Sequence, residues 1–496
     1  MQNIIGLNRW NGVIFVNVLK DLNPKKVFGF FEEMCQIPHG SGNEKAISDY
    51  LVNFAKERNL EVIQEEKEPN VIIRKPATEG YENIPAVIIQ GHMDMVCEKD
   101  SDVDHDFEKD PLNLMIDGDF VKAKGTTLGA DNGIAVAYGL AILDACDLKH
   151  PAIELFVTTN EETGMYGAIA ADPKNLKGKT LLNIDSEEEG VFLVSCAGGV
   201  TNTVNIKAEY EDAKNEALRI EINGLKGGHS GQEIGKQRGN ANKIMGRLLN
   251  SIKNEVEFNI VTICGGSKHN AIPREAEVII TTELSNVSKV QEISSNVLKT
   301  IKEELRVQDP DITITVEKAE CKKQLTKEVT EKIVSYLVLV PDGVQTMSED
   351  IKGLVESSLN LGVIEFNEDK ITFVSSIRSS VKSLKYAIAD KIASLAKLIG
   401  AELVSDSDYP EWQYEQNSKI RDLSMQTYKE LTGEDAKIDA IHAGLECGLL
   451  KEKMQDVDMI SFGPNLYDVH TPSERMSISS VEKVWNFIVK LLENMK

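Results

Sequence analysis

At 496 residues the chain exceeds what one ordinary hydrophobic core accommodates, so two domains, or one domain with a large insertion, is expected. Its 79 Asp and Glu against 55 Lys and Arg give a formal charge of -24, which disfavours nucleic acid and anionic membrane as partners. The seven cysteines are scattered with no Cys-x-x-Cys pair, as fits reduced thiols in a cytoplasm and neither a disulfide framework nor a thiolate zinc knot; no apolar run is long enough to span a bilayer.

The first fifteen or so residues read as an extension, with an apolar patch over Gly12–Val18 but no secretory signal pattern. A helix follows at KKVFGFFEEMCQI and another at EKAISDYLVNFAKERNL. Short runs NVIIRK, AVIIQG, AIELFVTT and TLLNID then alternate with helical segments such as GIAVAYGLAILDA. This alternation predicts an α/β domain over residues 20–198, with a mostly parallel central sheet and helices on both faces. From 199 to 408 the strands lengthen and become amphipathic (TNTVNIKAEY, EAEVIITTELS, KITFVSSIR), and the helices become charged, as in a large inserted α+β lid. After DYPEWQY the first style returns in KIRDLSMQTYKELTG, DVDMISFGP and SISSVEKVWNFIVKLLENM, so 409–496 completes the split catalytic domain.

In sheets of this class functional groups collect at the carboxyl ends of the strands. AVIIQGHMDMV ends in His92, with Asp94 two residues on; Asp131 opens the helix NGIAVAYGLAIL; AIELFVTTN leads into Glu161 and Glu162; TLLNID ends at Asp185; His470 lies between a strand and a helix. Singly these read as a surface pair, a helix N-cap, acidic turns and a loop histidine. Together, His92, His470 and the four acids Asp131, Glu161, Glu162 and Asp185 at successive element ends point to a metal site. Imidazole and carboxylate donors suit Zn²⁺, and also Co²⁺ or Mn²⁺. Two divalent ions are neutralised by one hydroxide and the carboxylates of Asp131, Glu162 and Asp185, with His92 and His470 completing the set. Glu161 is left over. If the strand end stays extended it points away from Glu162, towards a metal-activated water for which it is the general base.

At these residues the chain resembles the M20 metallopeptidase family, the clan of carboxypeptidase G2 and aminoacylase-1. The blocks QGHMDMVCEK, GTTLGADNGIAVA, TTNEETGMYGA, LLNIDSEEEG, GLKGGHSG, HNAIP, IHAGLECGLL and DVHTPSERM carry the resemblance, and HAGLECG with the long insertion points to a dipeptidase subgroup. The resemblance implies that Asp131 bridges two zinc ions, that His92 and Asp185 complete one site and Glu162 and His470 the other, that Glu161 is the base, and that Asp94 orients His92. It further implies that His229 in GGHSG donates to the tetrahedral oxyanion, that Asn270 and Arg378 hold the substrate backbone or its carboxylate, and that Gly444 lies in a substrate-contacting loop. One departure stands out: the arginine usual on the strand after Asn-x-Ile-Pro is absent, and Glu283 stands in that neighbourhood, so the carboxylate clamp does not transfer simply. The implied protein is a cytoplasmic homodimer that hydrolyses unblocked dipeptides, including Xaa-His. A tripeptidase or an N-acyl-amino-acid deacylase would use the same metals with another clamp. A silent binding relative would have lost a ligand or the base, and this chain has not.

Overall fold

The computed structural model describes residues 9–10, 13–14 and 17–496, Lys214 excepted, so most of the expected N-terminal extension lies outside the described residues. The chain forms two compact units. The first comprises residues up to Val194, Glu415–Asp439 and Leu449–Lys496; the second comprises Ser195–Tyr414 and Ala440–Gly448. The short second piece falls with the second unit because the Ala197 N–H donates to the carbonyls of Ile441 and Ala443, at 3.1 and 3.0 Å, and His442 bonds Ser358.

The sheet of the first unit has the spatial order Lys437–Ile441, Val191–Cys196, Asp458–Ser461, Thr180–Asn183, Val87–His92, Ile153–Thr158, Val71–Lys75, Glu61–Gln64. Its central pairings, from Asp458–Ser461 across to Ile153–Thr158, are parallel. Val191–Cys196 pairs antiparallel with Asp458–Ser461, and Val71–Lys75 pairs antiparallel with both Ile153–Thr158 and Glu61–Gln64, so the sheet is mixed and its centre has the expected parallel character. The connection from Gln64 to Val71 is too short for a crossover and permits only an antiparallel return. The parallel centre is what matters for function: strands running the same way deliver the residues that follow them to one edge.

Those central strands are buried on both faces; every residue of VIIQGH and of IELFVT is buried. The helix Ala130–Asp144 is likewise buried nearly all round, which explains its lack of a polar stripe. It lies in van der Waals contact with the sheet. A Cβ on Gly91 would come within 2.4 Å of Asn132 Oδ1 and 2.6 Å of Ala135 Cβ, so glycine is the only residue that lets the helix approach the strand there.

The second unit is built on an antiparallel nine-stranded sheet. Its strands alternate buried and exposed positions, as in Glu216–Asn223, and helices such as Ala241–Lys253, Lys327–Leu339 and Lys382–Ile399 cover the buried face. Leu248, Ile333, Leu337 and Ile392 pack there with Val278, Ile280 and Phe373 in a core separate from that of the first unit.

Candidate metal centre

At the carboxyl edge of the parallel strands the first unit gathers three overlapping groups of donors: His92, Asp131 and Asp185; Asp131, Glu162 and His470; and His92, Glu161 and Glu162. Within each, the candidate ligand atoms lie within 4.8 Å of one another. Asp131 belongs to two of these groups. Its Oδ1 is 3.2 Å from His92 Nε2 and its Oδ2 is 3.2 Å from His470 Nε2, so its two oxygens face different histidines. His92 Nε2 is also 3.5 Å from Asp185, and His470 Nε2 is 3.0 Å from Glu162.

The imidazole of His92 is held by its other nitrogen. Nδ1 is 3.0 Å from the Asp94 carbonyl oxygen and 3.4 Å from its carboxylate, so Nδ1–H donates there and Nε2 is left facing the acids. The Asp94 carboxylate has further work. Its Oδ1 accepts the Glu161 N–H at 3.0 Å, and its Oδ2 accepts the Glu162 N–H at 3.2 Å and the Ser41 hydroxyl at 2.8 Å.

The electrostatics show an acid-rich cluster in need of positive charge. Hydrogen bonds to Asp131 and Glu162 draw His470 up to about 11. Burial opposes the charged form of His92, yet hydrogen bonds to Asp131, Asp185 and Asp94 raise it well above the ordinary range. Burial, reinforced by Asp131 and Glu162, pushes Asp185 up to about 6. Oxygen and imidazole donors of this number and spacing fit divalent cations of the zinc type, whose charge takes the place of those protons.

Two local features bear on the readings weighed from the sequence. The strand ends at Thr158, Asn160 takes a left-handed φ of 51°, and Glu161 begins a tight turn in which its carbonyl accepts from Gly164 and Met165. Alternation along an extended strand therefore does not separate the two glutamates, and both carboxylates converge with His92. Asp131 is not a helix N-cap either: it and Asn132 have non-helical backbone angles, and Gly129 caps the segment.

Glu474 had no assigned role in the sequence. Its buried carboxylate accepts the N–H groups of Leu128, Gly129, Ala130 and Asp131, at 2.6, 3.1, 2.9 and 3.4 Å, and so pins the loop that presents Asp131. Asn132 does the same for His92, accepting its backbone N–H at 3.2 Å. The one available signal for Glu474 was an acid four residues beyond His470 in DVHTPSERM.

His229, Asn270, Arg378 and Gly444 belong to the second unit. His229 pairs with Ala271, and the Asn270 carbonyl accepts from Ser230. The Nδ1 of His229 accepts the N–H groups of Gly231 and Gln232, at 3.3 and 3.1 Å, so its proton must sit on Nε2. Burial and the charge of Arg378 lower its pKa, keeping it a neutral Nε2–H donor. Arg378 bonds the Tyr409 hydroxyl at 2.8 Å, its Nε is buried without a partner, and Ser358, across the strand from it, bonds the buried His442 at 2.7 Å. Glu283 stands at the N-cap position of a short 3-10 turn, and its side chain makes no capping hydrogen bond there.

The family model described as peptidase family M20/M25/M40 matches residues 88–494. The chain is 38% identical over 478 residues to the cytosol non-specific dipeptidase of Escherichia coli strain K12, covering 96% of this chain and 98% of that protein. Among solved structures, aminoacylhistidine dipeptidase from Vibrio alginolyticus superposes with a TM-score of 0.92 at 40% identity, over 96% of this chain and 97% of that one. Aminopeptidase PepT from Bacillus cereus shares the fold at a TM-score of 0.56 and 15% identity, covering 96% and 99% of the two chains.

Proposed function

The chain belongs to peptidase family M20 and is a hydrolase of peptide bonds; from that premise we propose that it is a metallo-dipeptidase that cleaves unblocked dipeptides, including Xaa-His, with two divalent metal ions. The observation that carries this reading is the sharing of Asp131 between two donor groups, one completed by His92 and Asp185, the other by Glu162 and His470. The names of the two similar proteins, a non-specific dipeptidase and an aminoacylhistidine dipeptidase, support the substrate class.

Two zinc ions held by these five residues would polarise the scissile carbonyl and lower the pKa of a water towards 7. The Glu161 carboxylate takes the proton of the attacking water and returns it to the leaving amine. Asp94 holds Glu161, Glu162 and His92 in mutual register. His229, fixed as the Nε2–H tautomer, is built to donate to an oxyanion without itself ionising. Arg378 offers a guanidinium to a free carboxylate, with Asn270 and Gly444 as neighbours of the substrate backbone.

The setting is a cytoplasm: all seven cysteines are free thiols, and among the described residues no helix is long and apolar enough to cross a membrane. The active form is a homodimer, a reading supported by the edge strand Glu402–Tyr409 of the second unit, which exposes Val404 and whose Asp408 accepts from the hydroxyl of the exposed Tyr386 at 2.7 Å. Light scattering of the purified protein tests this, and a monomer at micromolar concentration overturns it.

The function is tested by product analysis of zinc-loaded protein on Ala-His, Gly-Gly-His and N-acetyl-His. Cleavage of Ala-His in clear preference to the others is expected; preference for the tripeptide or the acylated compound overturns the dipeptidase reading.

A further inference from the structure

Within the second unit, Arg378 has no carboxylate paired with it among the described residues. Its Nη1 donates to the Tyr409 hydroxyl at 2.8 Å, and its Nε–H is buried without a partner. With Nη1 tied to the phenol, the open edge of the guanidinium is Nε–H together with Nη2–H. That edge offers two parallel donors, the arrangement that grips a carboxylate bidentately. A buried N–H left unmatched is costly, so the edge is built for an anion brought from outside.

Tyr409 reaches Arg378 across an intervening strand. In the nine-stranded sheet Gly198–Lys207 lies between Lys370–Ser379 and Glu402–Tyr409, and Gly199 is the register partner of both Arg378 and Tyr409. The three residues form one row, with two strand spacings, about 9.5 Å, between the outer backbones. A side chain in the middle of that row would block it. A Cβ on Gly199 would lie 2.6 Å from Cε1, Cζ and the hydroxyl oxygen of Tyr409, so the phenol passes directly over the glycine. The root of Tyr409 is fixed as well. Lys385, with a side chain 1% exposed, donates to the Tyr409 carbonyl at 2.9 Å and to the Asp408 carboxylate at 2.8 Å, and lies 3.3 Å from the Glu411 carboxylate. Cys196 and Trp412 exchange backbone N–H bonds at 2.9 and 3.1 Å, which ties down the chain just beyond.

We propose that Tyr409 is a positioning residue for carboxylate recognition: its hydroxyl, laid over Gly199, holds the Arg378 guanidinium in the orientation that receives the free carboxylate of a dipeptide. The inference rests on the assignment of Arg378 to that carboxylate and deepens it. Bidentate recognition depends on the plane of the guanidinium as much as on its charge. Removing the hydroxyl keeps the charge and frees the plane, so substrates with a carboxylate lose affinity and substrates without one do not. The ordering cost of the clamp is met on folding, through Lys385 and the row across Gly199, and not when the substrate binds.

The test compares Ala-His with Ala-histidinamide, in which a neutral amide replaces the carboxylate, on zinc-loaded wild type, Tyr409→Phe, Gly199→Ala, Arg378→Ala and the double variant Arg378→Ala/Tyr409→Phe. Where the amide is cleaved too slowly, its inhibition constant against Ala-His is measured instead. Tyr409→Phe, which deletes one oxygen, is expected to raise KM for Ala-His about 10-fold, with kcat and the constants for the amide within about twofold of wild type. Gly199→Ala, which displaces the ring, should give the same pattern, and Tyr409→Phe should add less than about twofold on the Arg378→Ala background. Equal losses on both compounds, or a further loss on that background, would show that Tyr409 serves the fold or the chemistry and overturn the inference. An unchanged KM in Tyr409→Phe beside a selective loss in Arg378→Ala overturns the inference and leaves the Arg378 assignment standing. Arg378→Ala that does not distinguish the two compounds overturns that assignment and the inference with it; wild type that does not cleave Ala-His overturns the dipeptidase reading as well.

Discussion

Asp94 receives the backbone N–H of Glu161 on one carboxylate oxygen, at 3.0 Å, and that of Glu162 on the other, at 3.2 Å. The residue beyond one strand end thus fixes the turn beyond the neighbouring strand, and through its own carbonyl it also orients His92. Asp94→Ala removes both acceptors and frees the turn. Metal affinity should fall about 10- to 100-fold, and activity with it at limiting zinc, as equilibrium dialysis and zinc titration of activity would measure. Unchanged affinity would mean that the turn holds its shape unaided.

Glu161 and Glu162 leave the same turn but should separate in function. Glu161→Ala should retain both metals and lose roughly 10²- to 10⁴-fold in kcat, whereas Glu162→Ala should lose metal. Elemental analysis beside single-turnover kinetics distinguishes them, and full activity in Glu161→Ala removes it as the base.

Glu474 is 2% exposed, and its carboxylate takes four successive backbone N–H groups that end at Asp131. Glu474→Gln turns an amide NH₂ towards some of those donors. A loss of about 3 kcal/mol in stability is expected. Thermal melts with and without zinc should show a smaller zinc-induced rise than wild type, because the loop presenting Asp131 is no longer held.

Gly91→Ala forces its methyl into Asn132 and Ala135, and Asn132 is the acceptor for the His92 N–H. The expected cost is about 1–3 kcal/mol, together with weaker metal binding. Wild-type stability in a urea titration would mean that the helix shifts freely off the strand.

His442 supplies a pH dependence within the second unit. Burial and the positive charge of Arg378 lower its pKa to about 3, against 6.5 for an ordinary histidine. The unfolded chain therefore binds a proton that the folded chain refuses. The stability from the neutral buried ring is complete above about pH 6.5 and is lost as pH falls towards 3, by on the order of a few kcal/mol in total. His442→Gln, which cannot titrate, should flatten the fall in melting temperature between pH 6.5 and 4; an identical slope in the two proteins would exclude His442 as its source.

Much of the site was legible in the sequence because its pattern is local. An apolar run that stops at a histidine or an acid marks a strand end, and parallel strands carry such ends to one edge. His92, Asp131, Glu162, Asp185 and His470 could thus be grouped before any coordinates, and the amphipathic change near residue 199 announced a second architecture. Other features depend on contacts between residues far apart in the chain. The antiparallel flanks depend on which strands neighbour one another. Glu474 meets residues 343 to 346 positions away. Glu161 faces inward because Asn160 leaves the extended region, a turn held by Asp94 from another strand. Residue type and periodicity determined which groups could form a metal centre. Tertiary structure decided which backbone amides hold them in place, because a carboxylate's partners are chosen by proximity in space, and the chain's order says little about that.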